Sequence, residues 1–106
     1  MLLGGDQGLG CFKFVPTWGE KIHDTKLTIE KCLEYCRERS LQVAGLYGGH
    51  DKCICNEKLI HNKHKVTDEE CTDSCKGDME NTGGCGGNYR MSVYWVAEKN
   101  AKTPLL

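Results

Sequence analysis

Eight cysteines in 106 residues, at positions 11, 32, 36, 53, 55, 71, 75 and 85, constrain this chain more than anything else in it. An even number of cysteines in a chain this short reads as a disulfide framework, and such frameworks form and persist in oxidising compartments. The framework is needed. With 39% hydrophobic residues and only two Phe and two Trp, apolar burial supplies a thin interior, and small domains of that kind lean on covalent links. The reading is therefore one extracellular domain, secreted or part of a cell-surface ectodomain.

Spacing narrows the pairing. Thr28 can cap a helix on which Ile29, Cys32, Leu33 and Cys36 form one apolar stripe, with Glu30, Lys31, Glu34, Arg37 and Glu38 on the other face. Val43 to Tyr47 and Lys52 to Asn56 alternate as two strands joined by Gly48, Gly49, His50 and Asp51, a loop that tolerates positive φ. Cysteines four apart on a helix lie about 6 Å apart, and cysteines two apart on a strand about 6.5–7 Å. The two spacings match, so a helix laid across the hairpin joins Cys32 and Cys36 to Cys53 and Cys55 in some order. Cys11, Cys71, Cys75 and Cys85 then pair among themselves in an order left open. Zinc is the rival, because Cys53, Cys55, Cys71, Cys75, His61 and His64 are all ligand types. The usual C-x-x-C knuckle is absent, which favours disulfides and no metal.

Elsewhere, Phe12, Phe14 and Val15 suit a first strand ended by Pro16, followed by a polar loop carrying Trp18, His23 and Asp24. Residues 57 to 65 read as a surface loop whose histidines are solvated. Thr67 to Glu70 resemble a capping box opening a second, short helix that presents Cys71 and Cys75 one turn apart, with Gly77 as its C-terminal cap. Arg90 to Val96 is the strongest strand, with Met91, Val93 and Trp95 on one face and Ser92, Tyr94 and Val96 on the other. Residues 1–9 and 97–106 read as flexible tails around a domain at 10–96.

Composition and motifs also exclude functions. Fourteen basic against fifteen acidic side chains offer no field for nucleic acid. Met1, Leu2 and Leu3 are too short an apolar run for a signal peptide or a membrane span. None of Ser40, Ser74 and Ser92 sits in G-x-S-x-G, no H-E-x-x-H occurs, and no phosphate loop precedes a helix. The expectation is no enzyme and no cofactor.

Taken in order, Cys32 and Cys36, then Val43, Ala44, Gly45 and Leu46, then Cys53 and Cys55, then Cys71, Cys75, Gly77 and Asp78, then Cys85, Gly86 and Gly87, then Ser92, Val93 and Tyr94 resemble the WSC domain, over about residues 9–96. This is the cysteine-rich module of fungal cell-wall stress sensors and of Kremen-type ectodomains. The resemblance implies an α+β domain like the PAN/apple fold, with an antiparallel sheet and one main helix pinned to it. It also implies a binding role, several members being similar to lectins for β-glucan, mannan or xylan. Asn56 departs from the family's usual glycine, and asparagine tolerates the positive φ that glycine would supply.

A sugar site wants exposed aromatic rings for stacking and polar groups for directed hydrogen bonds. The candidates are Trp18, Tyr47, Asn88, Tyr89, Arg90 and Trp95, with Tyr35 and Tyr94 assigned to packing. The partner is then a glycan or polysaccharide. The alternative is a protein partner, for which the same aromatics and arginine act as interface anchors.

Overall fold

A computed structural model describes residues 4–48 and 50–98. Six strands form one antiparallel sheet: β1 (Gln7–Lys13), β2 (Glu20–His23), β3 (Val43–Tyr47), β4 (Lys52–Asn56), β5 (Lys65–Val66) and β6 (Arg90–Trp95), in the spatial order β2-β4-β3-β6-β1-β5. Among the described residues one α-helix, α1 (Ile29–Glu38), crosses one face. Its first turn is capped as the sequence predicts, with the Thr28 side chain accepting from the Lys31 amide at 3.1 Å.

Strand alternation sorts the side chains into two cores. Toward the helix, Ala44 and Leu46 of β3, Cys53 and Cys55 of β4, and Val96 pack with Leu27, Leu33, Cys32 and Cys36. On the opposite face Phe12, Val43, Tyr47, Ile54, Met91 and Val93 pack under Ile60, with Trp18 and Trp95 half-buried at the margin. Cys32 bonds to Cys53 and Cys36 to Cys55, with Cα atoms 5.6 and 5.4 Å apart. The matched spacings thus hold the helix at two points one turn apart. The other bridges are Cys11–Cys71 and Cys75–Cys85, so every cysteine is oxidised and no thiolate is left for a metal.

Gly45, in the middle of β3, shows how closely the second core is filled. A Cβ there would come within 2.9 Å of Ile54 Cγ2 and 3.1 Å of Met91 Sδ, with the Trp18 ring next in line. Gly45→Val should therefore destabilise the domain by about 1–3 kcal/mol through overpacking, read as a fall in the midpoint of urea unfolding at unchanged slope.

Several local expectations are corrected. The segment after Thr67 is one 3-10 turn, Asp68–Glu70, not a second α-helix. Thr67 does not cap its backbone; its hydroxyl meets only the Glu70 carboxylate. Cys71 and Cys75 are bonded to Cys11 and Cys85 from this irregular segment. Gly77 is no helix cap either. Its amide donates to the Leu27 carbonyl at 2.7 Å, and a side chain would strike the Lys26 carbonyl, so it lets two backbones pass.

The polar loop after Pro16 contains an edge strand, β2, paired with β4 from Glu20↔Cys55 to His23↔Lys52. The 57–65 loop buries Ile60 and ends in the short edge strand β5. Asn56 lies at the end of β4 and is not among the residues with positive φ. Its amide instead ties two loops, donating to the Trp18 carbonyl and accepting from the Lys58 amide.

β1 begins at Gln7, inside the stretch read as an N-terminal tail, and pairs with β6 from Gln7↔Trp95 onward. Asp6 and Ala97 are joined just beyond, where the Ala97 amide donates to the Asp6 carboxylate at 2.7 Å. The two ends of the domain therefore lie side by side. The remaining tail residues, 1–3 and 99–106, fall outside the described residues. Among the described residues, no helix is long and apolar enough to cross a membrane.

Candidate functional site

The pole of the sheet opposite those ends carries an open cleft of about 520 Å³. It collects the end of β3 (Tyr47), the start of β4 (Lys52), the turn between them (Gly48, His50), the segment after β1 (Phe14), the start of β6 (Arg90) and the turn before it (Asn88, Tyr89), with Asp73 from the irregular 71–87 segment.

Its floor is aromatic. The rings of Phe14 and Tyr47 stack with centroids 4.3 Å apart at 16°. Tyr47 is buried, and burial first, with the charge of Asp51 second, pushes its phenol above the ordinary range. The hydroxyl is thus a protonated donor at neutral pH.

Tyr89 forms the wall. Gly87 and Arg90 exchange backbone hydrogen bonds around a two-residue turn, and Tyr89 occupies its second position at φ 55°. That left-handed backbone ordinarily belongs to glycine or asparagine. The consequence is a ring projected clear of the fold, 75% exposed. His50, at φ 73°, is a second non-glycine residue held left-handed on the rim. Two of the four described non-glycine residues with positive φ thus line this cleft, Ser40 and Asn81 lying elsewhere.

Hydrogen bonds fix the rim. The phenylalanine amide of Phe14 donates to the Tyr89 carbonyl at 3.0 Å, and His50 Nδ1 meets the Ser74 carbonyl at 2.7 Å. Behind the β3–β4 turn, Asp51 bonds His23 Nε2 at 2.9 Å and Lys52 Nζ at 3.2 Å. The bond from His23 is the largest influence holding the Asp51 carboxyl below its usual range. Arg90 Nε pairs with Glu70 at 2.6 Å.

The six candidate residues from the sequence divide between the two poles. Tyr47, Asn88, Tyr89 and Arg90 meet in the cleft. Trp95 lies at the far end of β6, five residues from Arg90, which at the strand rise is about 17 Å away. Trp18 packs on Gly45 and has its carbonyl tied to Asn56. Both tryptophans are half-buried members of the second core, so they do not share a surface with Tyr89. Phe14, His50, Lys52 and Asp73 were not among the candidates, and only the adjacency of His50 to Tyr47 pointed to any of them.

The WSC domain pattern matches residues 9–87. The chain belongs to the WSC domain family. This WSC domain is 33% identical to Kremen protein 1 of Rattus norvegicus over 91 residues, which is 81% of the chain and 19% of that protein. It is 34% identical to Kremen protein 2 of Homo sapiens over 74 residues, 69% of the chain and 15% of that protein. It is also 30% identical to a putative fungistatic metabolite of Chaetomium globosum over 95 residues, 84% of the chain and 41% of that protein. The chain thus spans under half the length of each of these relatives.

Proposed function

We propose that this WSC domain is a non-catalytic, extracellular glycan-binding module whose site is the Tyr89 cleft. The observation that carries the reading is Tyr89 itself, an exposed ring held out on a backbone conformation that tyrosine adopts only at a cost. Around it stand polar groups with no hydrogen-bond partner among the described residues: the Tyr47 hydroxyl, the Asn88 amide and the Asp73 carboxylate. An aromatic platform bordered by uncommitted donors and acceptors suits a sugar ring, whose C–H face stacks while its hydroxyls seek directed bonds. Four disulfides suit a protein that works in an oxidising, extracellular setting.

The test is a pull-down on insoluble glucan, chitin, chitosan, xylan and mannan with the wild type and Tyr89→Gly. Glycine removes the platform and relieves the backbone, so thermal stability should hold or rise by up to about 1 kcal/mol. Retention on the preferred polymer should meanwhile fall about five- to thirtyfold, since stacking on one ring contributes roughly 1–2 kcal/mol. Retention of the wild type on none of the polymers would turn the same surface over to a protein partner.

A further inference from the structure

The charges lining the cleft do not cancel. Lys52 is matched by Asp51 at 3.2 Å and Arg90 by Glu70 at 2.6 Å, which leaves two cations already neutralised within the protein. His50 has its Nδ1 committed to the Ser74 carbonyl. Asp73 is the exception: half-buried in the cleft wall, its backbone is engaged with Gly86 and Cys85, yet its carboxylate has no hydrogen-bond or ion-pair partner among the described residues. Among the described residues Asp73 is therefore the charged group of the lining without an ion partner, in a cleft it shares with Tyr47, Phe14 and Tyr89.

From this geometry we infer that the cleft selects a glycan carrying a free primary amine, an unacetylated amino sugar, whose ammonium faces Asp73. The inference rests on the glycan-binding reading above and names its ligand class. An ammonium answers both features at once, pairing with the carboxylate and lying against aromatic faces. An N-acetyl group offers no charge to Asp73, and a uronic acid brings a second negative charge beside the first, which is repulsive. Neutral sugars are tolerated by stacking and pay no charge penalty, so they rank between.

Calorimetric titration of the full chain with soluble oligosaccharides of equal length tests this: glucosamine oligomer, its fully N-acetylated counterpart, a neutral cello-oligosaccharide and an oligogalacturonate, with a trilysine peptide as a further ligand. The wild type should bind the glucosamine oligomer about tenfold or more tighter than the acetylated one, the difference expected of one charge-assisted contact. Asp73→Asn should reduce that ratio to about one, weakening the glucosamine oligomer far more than the neutral one. The structural bonds of residue 73 come from its backbone, so this variant should unfold at the wild-type temperature. Equal affinity of the wild type for aminated and acetylated oligomers overturns the amine inference and leaves glycan binding intact. Binding to no oligosaccharide overturns glycan binding itself. Tighter binding of trilysine than of any sugar, lost in Asp73→Asn, would give the carboxylate to a basic protein segment instead and overturn both.

Discussion

Replacing Cys11 and Cys71 together by alanine should cost about 4 kcal/mol, the largest loss for any of the four bridges. The ranking follows from loop closure. Cys11–Cys71 spans 60 residues, against 21 for Cys32–Cys53, 19 for Cys36–Cys55 and 10 for Cys75–Cys85. The conformational freedom that a link removes from the unfolded chain grows with the logarithm of the loop, giving roughly 3 kcal/mol for the shortest and about 4 for the longest. Denaturant unfolding of the four paired Cys→Ala variants measures the order directly. Cys32 and Cys53 are completely buried, so their removal adds a cavity cost. If Cys32/Cys53 proved the costliest pair by a clear margin, native-state packing rather than chain entropy would dominate the framework.

The second large effect is expected at Arg37. Its side chain, 5% exposed, donates through Nη2 to both oxygens of Asp6 at 2.8 Å, through Nη1 to Glu34 at 2.7 Å and through Nε to the Ala97 carbonyl at 3.0 Å. Burial alone would lower the guanidinium's proton affinity, but its bonds to Asp6 and Glu34 outweigh that and raise it. Arg37→Met leaves the Asp6 carboxylate, 1% exposed, buried without its guanidinium, and should destabilise the domain by about 3–5 kcal/mol. Adding Asp6→Asn removes the buried carboxylate's charge. The double variant should be more stable than Arg37→Met alone, a non-additivity readable in the same denaturant experiment. Strict additivity would mean that the two groups do not interact.

Elements whose pattern is local were legible in the sequence. The helix over 29–38, the hairpin at 43–47 and 52–56, and the Cys32/Cys36 to Cys53/Cys55 pairing all follow from the 3.6 and 2.0 periods meeting at equal sulfur spacing. What escaped depended on contacts distant in the chain. Arg37 belongs by periodicity to the helix's solvent face, yet the end of the sheet covers it through Asp6 and Ala97. β2 has the polar composition of a loop, and only the open edge of β4 makes it a strand. Thr67 to Cys71 carries helix-start chemistry, yet the Thr67 side chain makes no cap bond and the chain forms one 3-10 turn there. The cleft was half legible: Asn88, Tyr89 and Arg90 are contiguous, whereas Phe14 and Asp73 reach them only through the β1–β6 pairing and the path fixed by Cys71 and Cys85.

The adjacency of Asp6 and Ala97 at one pole, with the cleft at the other, also determines how such a unit can be carried by a larger polypeptide. Neighbouring sequence joins it through two closely spaced strands on a single side, as a lamp is held by its socket. A host loop could accept the whole unit with little change in the gap that the loop must bridge. Repeated units could likewise be strung along a stalk with every cleft turned outward and none shadowed by its own attachment.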